Sequence, residues 1–303
     1  MKPPESGKGE AAKPKSDFYY IYIRIKRRVM NFDIELVGKV GSMALINDER
    51  ADMDYNIIAG ISRYLHPGVI WVTSGATEIG RLDYIKRTGK ELEGDAEEVK
   101  ADYSAQGQSV LMTQYRQFLD SKYSLRQILV EHYHFNDEAK KEHLKKLLLR
   151  CPAQNAVPII NYNDPVSEEE VRKFEIKSLL LSRGKAVECV DNDETASQIA
   201  CLVKPKTLLI LTGVDGIYRN KADKDSLVKE ICGKDVYETI QAVEHYQEYC
   251  DGASRTGAHG ARAKLEYIKE PLKNGTTVYI ANSKYKIADI LSGNAPSTKI
   301  YSK

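Results

Sequence analysis

The chain has no uninterrupted apolar run of about 18 residues, so no stretch is long enough to cross a bilayer as a helix. The N-terminus also lacks the apolar core that a secretion signal needs. Charge of one sign is missing: 45 basic residues against 43 acidic ones leave a formal net charge of +2. That balance makes no electrostatic case for nucleic acid as a partner. Cysteine is sparse. Cys151, Cys189, Cys201, Cys232 and Cys250 are scattered without CxxC spacing, which reads as reduced thiols of a cytoplasmic protein rather than a zinc site. Six histidines do not change this, since HExxH is absent and His132 and His134 merely alternate beside a strand. No metal ligands are expected. The sequence shows neither an internal repeat nor a flexible interdomain linker.

At 303 residues the chain can bury a large α/β core. Its organising stretch runs from Asp191 to Tyr218 as an acidic turn, a helix, a buried strand and a second polar turn. Asp193 reads as the N-cap, Ala196, Ile199, Ala200 and Val203 fall at helical spacing, and Pro205 stops the helix. The continuous apolar run Leu208–Leu211 suits a parallel strand covered on both faces. It ends in Thr212-Gly213-Val214-Asp215-Gly216, small residues where parallel sheets bind ligands, beyond the strands' carboxyl ends.

Four other segments follow the same plan. Ile34–Val40 leads into Gly38-Lys39-Val40-Gly41-Ser42, where Lys39 is either a snorkelling surface lysine or a cation held against phosphate, with Gly41 and Ser42 offering amides. A helix with Met53, Ile57, Ile58, Ile61 and Leu65 on one face follows, ended by Pro67-Gly68. Val69–Val72 ends in Thr73-Ser74-Gly75-Ala76, with a helix starting near Thr77. Tyr103–Leu119 reads as a helix, Arg126–Val130 as a strand and Lys140–Leu149 as an amphipathic helix. Val157–Ile160 ends in Asn161-Tyr162-Asn163-Asp164-Pro165, which is either an Asx-turn or a set of amides and a carboxylate for a small polar molecule. Ser167–Val190 reads as charged and irregular, and Lys221–Asp251 as a loop with helices. Thr256–Lys264 is a glycine-punctuated turn opening a helix that Pro271 should end, and with Arg262 and Lys264 it makes an anion site. Thr276–Ile280 and Lys299–Tyr301 are closing strands.

Ahead of all this, Met1–Asp17 is rich in Lys, Pro, Gly and Ser and reads as disordered. Its Ser6-Gly7-Lys8-Gly9 lacks both the full phosphate-loop pattern and a preceding strand. Tyr19–Lys26 alternates as a half-buried strand, and Arg24, Lys26, Arg27 and Arg28 form either a solvated edge or a local nucleic-acid contact. The β-α-β-α order predicts a three-layer αβα sandwich around a mostly parallel, doubly wound sheet. Residues 1–33 are expected to be an extension, 34–190 an acceptor-binding lobe and 191–303 an ATP-binding lobe.

These segments together resemble the amino-acid kinase family, and its glutamate 5-kinase branch most closely. The resemblance rests on seven motifs in the family's order: GKVGS at Gly38–Ser42, VTSGATEIG at Val72–Gly80, AQGQSVLMTQY at Ala105–Tyr115, VPIINYND at Val157–Asp164, VDNDETASQIA at Val190–Ala200, LLILTGVDGIY at Leu208–Tyr218 and GAHGARAKL at Gly257–Leu265. It implies transfer of the ATP γ-phosphoryl group to a small acceptor, with L-glutamate giving glutamyl 5-phosphate as the first reading. Lys39, Asp193 and Lys264 match the family's catalytic residues, two phosphate-binding lysines and the aspartate that orients them. Gly41, Ser42, Thr212, Gly213, Asp215, Tyr218, Gly257, Gly260 and Arg262 fall at nucleotide and phosphate positions. Ser74, Asp164 and Asn192 match residues that hold the acceptor, with Gly75, Asn161, Asn163 and Asp191 beside them. ATP and Mg²⁺ are implied, the metal carried by phosphates and water with Asp193 near it, and a homo-oligomer (dimer or tetramer) is expected.

The chain departs from the family at Gly257-Ala258-His259-Gly260-Ala261 in place of GTGGM, at Gly213 in place of an aspartate, and at Val190 in place of a glycine. The stretch from Asp164 to Asp191 is long, and an RNA-modification-type domain after the kinase segments is not expected. Two other readings stand beside the first. One is a family kinase for another acceptor such as UMP, with Arg172, Lys173 and Arg183 supplying cations. The other is a non-catalytic nucleotide or amino-acid sensor, against which the retained Lys39, Asp193 and Lys264 argue.

Overall fold

The structure is a computed structural model that describes residues 34–189, 191–220, 222–250 and 260–303. The strand expected at Tyr19–Lys26, Val190, and the Thr256–His259 turn with Gly257 lie outside them. In chain order the elements are β1 (Leu36–Val40), β2 (Ile46–Asn47), β3 (Asp52–Met53), α1 (Tyr55–Tyr64), β4 (Val69–Val72), α2 (Ala76–Thr88), α3 (Ala96–Phe118) and β5 (Ser124–Val130). Then come α4 (Tyr133–Asn136), α5 (Glu138–Arg150), β6 (Ala156–Tyr162), α6 (Glu169–Arg183), α7 (Asn192–Val203), β7 (Thr207–Thr212), β8 (Ile217–Tyr218), β9 (Leu227–Val228) and β10 (Glu230–Gly233). The chain closes with α8 (Val236–Gln247), α9 (Gly260–Tyr267), α10 (Lys269–Lys273), β11 (Thr277–Asn282), α11 (Ile287–Leu291) and β12 (Ser297–Ser302).

Eight strands form one sheet in the order β10-β12-β11-β7-β1-β4-β6-β5. All neighbours pair in parallel except β11 with β12. The expected mostly parallel, doubly wound sheet is therefore present. Side chains alternate across it. Val37, Ile70, Val72, Ile160, Leu208 and Ile210 join one core, and Leu36, Val40, Trp71, Ile159, Leu209 and Leu211 join the other. Both faces are covered, which is why these strands read as continuous apolar runs. The register pairs Lys39 with Val72 on one side and Ile210 on the other, so β1, β4 and β7 end together at one edge.

Several local expectations change. Met53 sits in a two-residue strand, and α1 starts after Asp54, whose carboxylate accepts from the Asn56 and Ile57 amides. α3 begins at Ala96, earlier than its apolar stripe suggests, because Asp95 caps it with Glu97 and Glu98 in the first turn. Ser167–Val190 is not irregular, since α6 occupies Glu169–Arg183. Lys221–Asp251 contains the strands β9 and β10 as well as α8. Pro271 does not end α9. It lies in the first turn of α10, where a missing N–H costs no helical bond.

Helices α2 and α3 cross at glycine. A Cβ on Gly80 would lie 1.8 Å from the Tyr103 carbonyl oxygen, and one on Gly107 1.8 Å from that of Ala76. Gly60, on the exposed side of α1, has nothing within 4 Å of that position. Thermal melts should therefore separate two glycine-to-alanine changes of the same chemistry. Gly107→Ala should destabilise by about 1–3 kcal/mol through overpacking, whereas Gly60→Ala should stabilise by about 0.5–1 kcal/mol through helix propensity. Equal melting temperatures for the two variants would contradict the close crossing.

Candidate active site

Three elements deliver the central charges. Lys39 lies in β1 on the face opposite Gly38, and Gly38 is glycine because a Cβ there would meet the Trp71 ring at 2.0 Å. Asp193 is in the first turn of α7, and Lys264 projects from α9. Lys39 Nζ lies 2.6 Å from one Asp193 carboxylate oxygen and Lys264 Nζ 2.8 Å from the other. Lys39 and Asp193 side chains are 7% and 6% exposed, and Lys264 is 20% exposed. Burial alone would push the Asp193 carboxyl up, but Lys39 and Lys264 hold it below its ordinary value. The snorkelling alternative for Lys39 is thereby set aside.

Asp193 is consequently not the cap of α7. That role belongs to Asp191, whose carboxylate accepts from the Asp193 and Glu194 amides at 2.8 and 3.0 Å. The division follows from geometry: a cap reaches forward to the next amides, while the residue two positions on points across the sheet edge. The Gly41 amide is not turned outward either, since it donates to the Leu211 carbonyl at 3.1 Å and ties β1 to β7. A Cβ on Gly41 would sit 3.7 Å from Lys39 Nζ, so glycine there leaves the ammonium uncrowded. Ser42 and Gly75 bring two strand ends together. Gly75 has φ 88°, and its missing side chain would press on Ser42 Cα at 3.4 Å. Beneath Ser74, Thr73 shares a hydrogen bond with the Tyr115 hydroxyl, which also accepts from the Trp71 indole. Burial pushes that hydroxyl up to about 12.

A second polar cluster stands beside the first. Asn161 is buried, donates to Gln108 Oε1 at 2.8 Å and accepts from Asn192 Nδ2 at 2.9 Å. This relay leaves Gln108 Nε2 and Asn192 Oδ1 buried with no hydrogen-bond partner among the described residues. Sequence reading missed Gln108, which passes for one polar residue in a long helix. Asn163 donates to Glu131 at 2.8 Å. Asp164 lies 3.7 Å from Lys100, a residue that no motif marks out, and burial still pushes the Asp164 carboxyl up despite that lysine.

The turn after β7, expected to meet the nucleotide, is held by its own hydrogen bonds. Thr212 Oγ1 closes a local turn, donating to the Val214 carbonyl and accepting its amide. The Gly213 carbonyl accepts from Asn282 at 3.0 Å, and Asp215 pairs with Lys284 at 3.1 Å. Burial, followed by Asp215, pushes the Tyr218 hydroxyl up. Asn282 and Lys284 thus join Thr212, Gly213, Asp215 and Tyr218. Gly260 opens α9 with φ 69°. Arg262 is exposed, and it stands two residues from Lys264, on the other side of the helix, so it is not brought to the charge centre. Among the described residues no group of His, Cys, Asp or Glu could hold a metal. Both Asp193 oxygens face lysines, so direct ligation of a metal by Asp193 does not fit this arrangement.

A parallel α/β sheet carrying buried cations at its carboxyl edge defines an anion-handling α/β protein. The chain belongs to the amino acid kinase family, whose profile matches residues 35–282. It is 30% identical over 260 residues to a glutamate 5-kinase of Streptococcus suis, covering 82% of this chain and 64% of that protein. It is 27% identical over 293 residues to a glutamate 5-kinase of Clostridium perfringens, covering 91% of this chain and 98% of that one. In fold it resembles a carbamate kinase from Giardia lamblia solved bound to AMP-PNP, with a TM-score of 0.55 and 14% identity over 89% of this chain and 99% of that one.

The Asp193 arrangement has a sign that can be tested. A carboxyl held below its ordinary value stabilises the fold at neutral pH, and that stability is lost as pH falls from about 4 downward. Asp193→Asn should lower stability at neutral pH by about 3–5 kcal/mol, because it leaves two ammonium groups facing each other. It should also flatten the acid limb of the stability curve. Denaturant melts from neutral to acid pH read both effects, and an unchanged acid limb would contradict the assignment.

Proposed function

We propose that this chain transfers the γ-phosphoryl group of ATP to a carboxylate of a small acceptor, L-glutamate being the acceptor that the relatives' names favour. The observation that carries the chemistry is the Lys39–Asp193–Lys264 cluster. A carboxylate acceptor is already a nucleophile, so no general base is required. What the reaction needs is alignment of two anions and neutralisation of the charge on the transferring group. Lys39 and Lys264, fixed by one buried carboxylate, would approach that group from two sides. Mg²⁺, when present, would supply further charge neutralisation on the nucleotide phosphates; residues described here offer no cage of their own for it.

In this reading residues 34–190 hold the acceptor and 191–303 the nucleotide. Ser74, Asp164 and Asn192 contact the acceptor, with Gln108 as a further donor and Gly75, Asn161, Asn163 and Asp191 shaping the pocket. Ser42, Gly213, Asp215, Tyr218 and Gly260 lie toward the nucleotide. The enzyme would act in the cytoplasm, where reduced thiols such as those of Cys151 and Cys189 persist.

A second reading draws on one observation. Lys100 and the Arg172 guanidinium both act on Asp164, and both also act on Glu169. An acceptor bearing a phosphate, such as UMP, would draw on those two cations. Of the other two cations considered for it, Lys173 is paired with Glu169 and Arg183 donates to the Asn136 carbonyl.

Incubation with ATP, Mg²⁺ and hydroxylamine tests the first reading, since a glutamyl phosphate would be trapped as the hydroxamate. Lys39→Ala and Lys264→Ala should each lower kcat by about 3–4 kcal/mol in transition-state terms while leaving the acceptor KM nearly unchanged. Wild-type turnover in either variant would sink the clamp. Asp164→Asn should raise the KM for glutamate roughly tenfold or more, because it truncates a charge-assisted pair. With UMP as acceptor the same change should be neutral or mildly favourable.

A further inference from the structure

The hydrogen bonds around Asn161 have a fixed sense. A side-chain amide can turn over without changing shape, so a partner that cannot turn must decide which end donates. The Tyr162 backbone amide is that partner, donating to Asn161 Oδ1 at 2.9 Å. Asn192 must then offer its NH2 group to the same oxygen, at 2.9 Å. Asn161 in turn offers its own NH2 group to Gln108 Oε1, at 2.8 Å. The remaining ends are thereby determined. Gln108 presents a donor, Nε2, and Asn192 an acceptor, Oδ1, each buried with no hydrogen-bond partner among the described residues. Asn161 and Gln108 are 2% and 7% exposed. A network kept only to hold β6 against α3 and α7 would be closed at its ends, because an unpaired buried polar group costs about 1–3 kcal/mol. This one is closed in the middle and open at both ends. It also lies where strands end: the Thr73 amide donates to the Ile160 carbonyl, bringing the chain that enters Ser74 next to Asn161. Asn192 directly precedes Asp193.

We propose that Asn161 is a positioning residue that sets the hydrogen-bond polarity of the acceptor pocket through Gln108 and Asn192. The pocket then selects an acceptor that carries an ammonium group beside a carboxylate. This rests on the reading of these residues as the acceptor site. Gln108 Nε2 can only donate, and a carboxylate oxygen accepts from it. Asn192 Oδ1 can only accept, and an ammonium group donates to it. That group has three protons, so one given to Asn192 leaves others for Asp164. An α-amino acid bears both groups on one carbon, and held by that end it leaves a second carboxylate free for the phosphoryl group. A dicarboxylate without the amine satisfies Gln108 alone and leaves Asn192 Oδ1 buried and unpaired. Sites built around a hydrogen bond discriminate strongly against an analogue that lacks it. Gln108 touches the acceptor in this arrangement, and Asn161 acts through it.

Steady-state kinetics of the full chain with ATP, Mg²⁺ and glutamate test the proposal. Gln108→Glu keeps the shape and replaces the donor by an oxygen, so the KM for glutamate should rise roughly tenfold or more, with kcat and the KM for ATP nearly unchanged. Gln108→Met, which removes the donor without adding charge, should raise the same KM and serves where Gln108→Glu melts early. Asn161→Asp also keeps the shape, but its carboxylate only accepts. Gln108 must then turn over to donate to it, showing its oxygen to the pocket, and the KM for glutamate should rise again. Beside Gln108→Met there is no amide to turn, so Asn161→Asp should raise that KM far less than it does beside Gln108. A merely structural role for Asn161 would cost the same in both backgrounds. Glutarate, added as a competing inhibitor of the wild type, should bind roughly tenfold or more weakly than glutamate. Glutamate turnover with an unchanged KM in both Gln108 variants, equal effects of Asn161→Asp in both backgrounds, or glutarate binding as tightly as glutamate would each overturn this inference alone. A wild type that does not phosphorylate glutamate would overturn the acceptor reading and this inference with it.

Discussion

The site depends on one buried carboxylate shared by two ammonium groups. Burying any of these charges alone would cost several kcal/mol, and together they still leave one positive charge in excess. The amide end of α7, capped by Asp191, adds its positive dipole to the same place. An anion is therefore the group that completes the electrostatics. Asp193 serves to hold the cations apart and aimed, which is why it must be dry, and why it comes from a helix start rather than a mobile loop. β1, α7 and α9 are brought to one point by a sheet whose strands end in register.

Much of this was legible in the sequence, for identifiable reasons. Strands covered on both faces appear as continuous apolar runs, and their ends as clusters of Gly, Ser, Thr and Asn, so β1, β4, β6 and β7 and the residues after them could be found. Lys39 stood out because packing does not explain a lysine between glycines at a strand end. What stayed hidden was of two kinds. Pairs distant in the chain, such as Lys100 with Asp164 and Lys284 with Asp215, look like ordinary surface lysines until the fold brings them in. Elements with a broken pattern were the other kind. β8 and β9 are two residues each, too short to show a period, and α6 has apolar residues on both its faces, which erases the periodicity that marks a helix.

The cap of α7 shows a limit of local reading. Asp191 and Asp193 are the same residue type two positions apart, and capping preference alone accepts either. Only the position of Lys39 and Lys264 decides between them, and that is tertiary information. The glycines behave similarly. Gly38, Gly80 and Gly107 carry no turn, and each is required by what lies against it: an indole ring in one case and a helix backbone in the others.

The α6 segment joins the turn after β6 to the start of α7, since it begins just after Asp164 and the chain returns to Asp191 after it. Its inward residues reach the end of β6 and the turn after it, Arg172 lying over the Tyr162 ring and among the charges that act on Asp164. Arg172 has contacts on both sides of that segment, the Tyr162 ring and the Cys189 carbonyl. A change of charge at Asp164 would therefore reach the helix first through Arg172.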